Sequence, residues 1–284
     1  METTNSKVLV VNIDDLGLDV GSGEAFLELQ KYGSVNSGSV MVPAPWFLQI
    51  VELQKTNANL NIGIHLTLTS EWQQYRWRPV STSKTSSGLI DSDGFFWKNR
   101  KLLRENLNIR DAEIELDAQI KMALNSGINL SHIDCHMGIG LIPELVEFYL
   151  KLGVKYDLPV LIPRNIEETL LLYKIEDKWV PFYKEIIKKL DANNYHLVDN
   201  FKITPCFDSD KALVGYENLL TSLDDGITFL SLHANKPGAI ENIDPIKYQV
   251  RIDEYNIFRQ NFDLNWMRSH GISTCCLSSV RGKL

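Results

Sequence analysis

The sequence predicts an α/β protein, a distorted (β/α) barrel of about seven or eight parallel strands. Three observations carry this. Apolar runs alternate with helix-period stretches along the whole chain. Residues able to do chemistry gather at the ends of the apolar runs, where ligands collect in parallel α/β folds. The chain has 284 residues, 44% of them hydrophobic and 23% charged, which suits a globular protein with a substantial core.

Strand candidates lie at 7–13, 35–42, 60–68, 128–135, 159–163, 197–203, 227–233 and 273–279. Helix candidates fall between them, at 22–31, 45–55, 109–126, 143–152, 178–190, 211–223 and 245–269. In the helix at 109–126, Ile114, Ala118 and Met122 recur at four-residue spacing and are expected to form its buried face. Pro143 and Glu144 suit the first turn of the next helix, where no backbone N–H is missed and a negative charge meets the dipole. Residues 69–108, rich in Trp, Ser, Lys and Asp, break the rhythm and read as a long loop insertion, a lid, a binding surface or disorder. No repeat or shift in composition marks a second domain, so one domain over 1–284 is expected.

The net charge of −7 and the isoelectric point near 5.4 argue against a nucleic-acid partner, which needs a basic stripe. The basic stretch at 184–190 reads as one solvated helix face. The start of the chain has no long apolar leader, and no run approaches the roughly 18 apolar residues of a membrane span. A cytoplasmic protein without a membrane partner is expected. Cys135, Cys206, Cys275 and Cys276 show no CxxC spacing and read as buried free thiols of a reducing compartment.

The first apolar run, VLVVNIDDLGLD at 8–19, stops at two adjacent carboxylates, Asp14 and Asp15. Each raises the cost of ionising the other unless a cation or a donor sits nearby. His65 ends another apolar run, His132 and His136 flank Asp134 in SHIDCH, and His233 ends ITFLSLH. One carboxylate and two imidazoles can hold a divalent cation and leave positions open for water and substrate. One aspartate of the pair would then bind the cation and the other would stay a free base. His132, Asp134 and His136 share one face at a period of two. Taken singly, the aspartate pair suits a turn or a helix cap, and His65 suits a hydrogen-bonded core position. The joint set points to a site. His196 and His270 read as loop and helix-end residues. Gly17, Gly21 and Gly23 lack dinucleotide-loop spacing, and no GxSxG elbow supports a serine hydrolase.

VVNIDDLGL, NIGIHLTLT, SHIDCHMGI and SLHANKPG, in this order, resemble the YdjC-like carbohydrate deacetylases, the chitooligosaccharide deacetylase family. The likeness runs nearly end to end, through GSVNSGSVMV, GLIDSDGFFW and YQVRIDEY. The resemblance implies a barrel related to those of polysaccharide deacetylases and metal-dependent removal of an acetyl group from an N-acetylated sugar or short oligosaccharide. It implies that Asp15, His65 and His136 bind a divalent metal ion, Mg2+ or Zn2+, and that Asp14 is the general base. His233 would be a general acid or an oxyanion stabiliser. His132, Asp134, Trp72 and Trp97 are assigned to the small carbohydrate substrate, although the aromatics of the insertion equally suit a satellite core.

Two departures stand out. Gly138 and Gly140 occupy positions where the family usually continues with histidines, and Ala234, Asn235 and Lys236 separate His233 from Pro237. On a strand continuing past His136, the two glycines would widen the pocket. Two other readings stay open: a carbohydrate-binding or regulatory protein on a decayed enzyme scaffold, and another metal hydrolase on the same barrel. A homodimer is compatible with the sequence, which is silent on oligomeric state.

Overall fold

The first apolar run becomes β1 (Lys7–Leu16), a strand buried without a break from Leu9 onwards. In the computed structural model, which describes residues 6–82, 84–195 and 197–280, it is the strand on which the others assemble. Then come α1 (Val20–Tyr32), β2 (Ser37–Val40), α2 (Phe47–Thr56), β3 (Ile62–Leu66), α3 (Arg100–Asn106), α4 (Ile109–Asn125) and β4 (Leu130–Cys135). The second half holds α5 (Val146–Tyr156), α6 (Ile166–Leu172), α7 (Val180–Ala192), β5 (Asn200–Ile203), α8 (Ser209–Thr221), β6 (Gly226–Leu232), α9 (Ile240–Ile243), α10 (Tyr248–Asn261), α11 (Leu264–Ser269) and β7 (Ile272–Thr274). No helix among the described residues is long and apolar enough to cross a membrane. His196 lies outside the described residues.

Among the described residues, the seven strands pair only in parallel, in the order β4-β3-β2-β1-β6-β5, with β7 on the early part of β1. The candidate strand at 159–163 is reduced to two single bridges, Ile133 to Val160 and Pro163 to Val198. Proline cannot donate to a ladder, so pairing there stays local. These bridges nevertheless join β4 to the approach to β5 and close the sheet into a distorted barrel.

Two strand ends differ from expectation, and both shape the site. β1 does not stop before the aspartates; it runs through Asp14 and Asp15 to Leu16. Its register with β2 shifts between Ile13 and Leu16, and Asp15 has φ 60, so the strand bulges and re-aims Asp15. β4 ends at Cys135, because Met137 (φ 50) and Gly138 (φ 65) turn the chain into a 3-10 segment, His136–Leu141. Residues 138 and 140 therefore do not continue the face of His136, and the expected pocket widening is absent. A Cβ on Gly138 would lie 2.7 Å from the Tyr173 ring, and one on Gly140 2.8 Å from the Tyr149 ring. Aromatic rings already occupy that space.

In α4 the buried face is Ala112, Glu115, Leu116, Gln119, Ile120 and Ala123, whereas Ile114 and Met122 are exposed. Two buried polar residues sit in that face because they clamp backbone. Gln119 accepts from Thr67 N and donates to Thr67 O, and Glu115 accepts from Val80 N and Ser81 N. Pro143 and Glu144 fall in a turn closed by Leu145 N to Ile142 O, ahead of α5. The long helix expected at 245–269 divides into α10 and α11, where the Asp263 side chain caps Trp266 N. In the insertion, Trp77, Leu89, Ile90, Phe96 and Leu103 form a packed core. All four cysteines are free, but Cys206 is exposed and the others half-buried, so the expectation of buried thiols fails.

Histidine at either 138 or 140 should destabilise the fold. Crowding a packed ring costs ~2–3 kcal/mol, a fall of roughly 5–10 °C in melting temperature for a protein of this size. Thermal unfolding of Gly138→His and Gly140→His measures it; unchanged midpoints would mean that the tyrosines move aside freely.

Candidate metal centre

The site is built on sheet register. Asn12 of β1 stands beside Ser37 on β2 and Ser231 on β6, and His65 of β3 stands beside Asp134 on β4. The alternation of side chains along each strand sends these groups to the same face. The result is a buried polar network at the C-terminal ends of the strands.

Asp15 is its centre. One carboxylate oxygen, Oδ1, lies 3.0 Å from His136 Nδ1 and 3.5 Å from His65 Nε2. The other, Oδ2, accepts from Arg251 Nη1 at 3.0 Å. Each imidazole is held from behind by a second carboxylate. Asp134 Oδ1 meets His65 Nδ1 at 2.8 Å, and Glu71 Oε2 meets His136 Nε2 at 3.0 Å. Such outer carboxylates orient ligand histidines and fix which nitrogen faces the ion.

Ligand atoms of Asp15, His65 and His136 all lie within 4.8 Å of one another, and all three residues are buried. Bonds of ~2.1 Å to one tetrahedral ion separate its ligands by ~3.4 Å, so the donor set fits a divalent cation with little adjustment. A mixed oxygen and nitrogen set suits several such cations.

Asp14 faces the same space. Asn12 Nδ2 donates to its Oδ1 at 2.7 Å and the Ser231 hydroxyl to its Oδ2 at 2.5 Å, while His65 Nε2 is 3.9 Å away. The two aspartates differ in charge environment. Burial pushes the Asp14 carboxyl up to about 7, against the pull of His65. Burial also pushes Asp15 up, but His136 and Arg251 outweigh it and hold that carboxyl well below its usual range. Burial lowers the imidazoles, yet Asp134 and Asp14 keep His65 well above its usual value, and Glu71 and Asp15 raise His136 to about 9.

Other residues singled out in the sequence fall elsewhere. His132 has no exposed surface; its ring packs on Phe229 and fills the space above Gly63, so it does not face a substrate. Asp134 is also buried, with its oxygens directed at His65 and Asn12, and orients the imidazole instead. Trp97 belongs to the core of the insertion, where its indole N–H donates to Gly88 O. Trp72 is half-buried at the rim, edge-on to Trp77, with the Arg251 guanidinium 5.8 Å from its ring. His233 Nδ1 lies 2.7 Å from Thr204 Oγ1, in a cavity of 270 Å³ that Arg251 also lines.

Sequence reasoning passed over Arg251, Glu71, Asn12 and Ser231. Arg251 stood within the YQVRIDEY stretch and Glu71 just past GIHLTLTS, but neither has a spacing that marks it as a partner of a distant aspartate or histidine.

The fold and this cluster define a (β/α) barrel with carboxylates and imidazoles converging at its strand tips. The chain belongs to the YdjC-like protein family, whose family model matches residues 8–268. Among its relatives is a carbohydrate deacetylase of Thermoanaerobacter pseudethanolicus, 28% identical over 230 residues, 80% of each chain. A carbohydrate deacetylase of Thermus thermophilus is 28% identical over 231 residues, 81% of this chain and 78% of that one. A crystal structure from Enterococcus faecalis, of a protein described as a cellobiose-phosphate cleavage protein, superposes with a TM-score of 0.76 at 24% identity, covering 98% of this chain and 100% of that one. This last likeness bears on the fold.

The raised pKa of Asp14 has a consequence for the metal-free protein. A carboxyl that binds its proton more tightly when folded stabilises the fold at low pH, and that contribution is lost as pH rises from 3.8 through about 7. Asp14→Asn, which cannot ionise, should therefore melt higher than wild type at alkaline pH, by at least ~2 °C, the equivalent of ~1 kcal/mol. The gap should close as pH falls towards the ordinary carboxyl value. Calorimetry in chelator across the pH range tests this; a gap independent of pH contradicts it.

Proposed function

We propose that this protein is a metal-dependent hydrolase that removes an acetyl group from an N-acetylated sugar or short oligosaccharide. The observation carrying the proposal is the meeting of His65 and His136 on one oxygen of Asp15, with Asp14 as a separate buried carboxylate beside them. Membership of a family whose relatives bear the name carbohydrate deacetylase supports the reading of the substrate.

Asp15, His65 and His136 would hold the ion. A divalent cation bound there supplies Lewis acidity, polarising an amide carbonyl and making water more acidic. Asp14 accepts a proton as general base. Its carboxylate is aimed by donors from Asn12 and Ser231, and burial gives it a high proton affinity for an aspartate. Positive charge nearby brings that affinity down, so Asp14 is ionised at neutral pH when the site is loaded. His233 serves the departing amine as a neutral hydrogen-bond donor or acid. Burial pushes its imidazole down to about 3, against Asp15 and with Arg251, so it works uncharged. Trp72, at the rim, offers an aromatic face to a sugar ring.

Acetate release from a panel of acetamido sugars, with titrated metal, tests the activity. Asp15→Asn should lose metal and activity together. Asp14→Asn should retain metal and lose ~10²–10⁴-fold in turnover, the usual worth of a general base. Equal metal loss in both variants contradicts the division of roles. Binding of acetamido sugars without acetate release would favour a carbohydrate-binding protein.

A further inference from the structure

An amide presents two unlike groups on either side of the bond to be cut, and two unlike cavities adjoin the site. One is polar, 270 Å³ in volume, and lined by Thr204, His233, Asp244, Lys247 and Arg251. The other is walled by Leu141, Leu161, Tyr173 and Phe201, and Asp14 also lines it. Its volume is 20 Å³. With Asp14 as general base, the small cavity adjoins the carbonyl carbon under attack. With His233 serving the departing amine, the polar cavity adjoins the nitrogen and the sugar it carries. The chemistry of the walls agrees: apolar and aromatic side chains favour a methyl group, whereas charged and hydroxyl groups meet the hydroxyls of a sugar.

Size then sets a limit. A water-sized group needs ~10–15 Å³, so a space of 20 Å³ receives one methyl group and has no room for a further methylene. The wall that imposes the limit is Tyr173, in the turn after α6, where its backbone N–H donates to Thr169 O at 3.0 Å. Its ring stacks on Phe201 with centroids 6.2 Å apart, and the Arg100 guanidinium lies 4.9 Å from its centroid. The ring takes up the space over Gly138, where a Cβ would lie 2.7 Å from it, so it can sit there only beside a glycine. Tyr173 also lines a groove of 980 Å³, whose apolar lining includes Met137, Ile142, Leu172, Ile175 and Ile203, alongside charged groups of α3. One aromatic ring thus stands between a cavity that fits a methyl group and a groove large enough for a long chain.

We propose that Tyr173 sets the length of the acyl group this protein removes. Its ring closes the cavity beside Asp14 to anything longer than acetyl, and without the ring that cavity opens into the groove. This rests on the deacetylase reading. Tyr173 determines specificity and takes no part in breaking the bond.

Hydroxamates chelate a bound cation through two oxygens and carry their alkyl chain where the acyl group would lie. Calorimetry of the zinc-loaded protein with aceto-, propiono-, butyro- and hexanohydroxamate reads the limit as affinity. In the wild type, affinity should fall by ~10-fold or more from aceto- to propionohydroxamate, the usual worth of one methylene too many in a closed pocket. Tyr173→Ala should erase that fall and bind hexanohydroxamate at least ~10-fold more tightly than the wild type does. Tyr173→Phe keeps the ring and should keep the wild-type order. Where thermal melting shows Tyr173→Ala to be unfolded, Tyr173→Leu replaces it, since leucine keeps apolar bulk without the reach of the ring. The same order should appear in kcat/KM for glucosamine acylated with acetyl, propionyl, butyryl and hexanoyl groups. Equal affinity for all four hydroxamates in the wild type overturns the proposal, and so does a length limit that survives loss of the ring. The expected hydroxamate order, with no acid released from any acylated glucosamine, overturns the deacetylase reading and leaves the length limit standing. Binding of no hydroxamate at all overturns the metal site and the proposal with it.

Discussion

A buried carboxylate shared among two imidazoles and a guanidinium is the constraint around which the barrel is arranged. Asp15 is almost fully enclosed, and an ionised carboxylate in such a place is costly unless every lone pair is met by a donor or a charge. His65, His136 and Arg251 meet it from β3, from the turn after β4 and from α10. Segments distant in the sequence are thereby bound to one point, and the chain bulges at Asp15 to bring the carboxylate there. The geometry is a compromise: a strand residue sits at a positive φ, a conformation that costs free energy and is kept where the surroundings fix it.

The layer outside this centre is as specific as the centre. Each histidine has one nitrogen turned to Asp15 and the other to a carboxylate, Asp134 or Glu71. Asn12 links Asp14, Asp134 and Ser39 through a single amide, so the two aspartates of β1 and β4 cannot rotate independently. Charges inside the barrel are therefore paired in alternation, which is what makes so polar an interior compatible with a folded core.

Much of this was legible in the chain. Alternating apolar runs placed the strands, and the tips of those runs singled out Asp14, Asp15, His65, His136 and His233, because a period of two shows which residues share a face. Local geometry was not legible. That β1 continues through the aspartates depends on a bulge, and that β4 stops at Cys135 depends on a left-handed Met137, neither of which apolar patterning records. Period two did place His132 and Asp134 with His136, but facing alone does not say how deep a side chain lies; His132 is sunk against Gly63 and Phe229. Arg251 and Glu71 escaped notice because their partners are remote in sequence. The buried face of α4 was misplaced for a different reason: Glu115 and Gln119 are polar, and they are inside because loop backbone needs them as partners.

Around the barrel, β1 has β2, β3 and β4 on one side and β6 and β5 on the other, so the two single bridges of residues 159–163 lie across the ring from the strand that carries Asp15. Among the described residues, the hoop is weakest at these two bridges, three strands from β1 on one side and two on the other. Strain or breathing concentrates where ladder bonds are few. The seven-residue ladder between β1 and β6 holds His233 beside Asp15, so a change of girth at that link falls first on β4, on β5 and on the segment between them. In such a split ring the arc around Asp15 can stay rigid while the wall across from it gives.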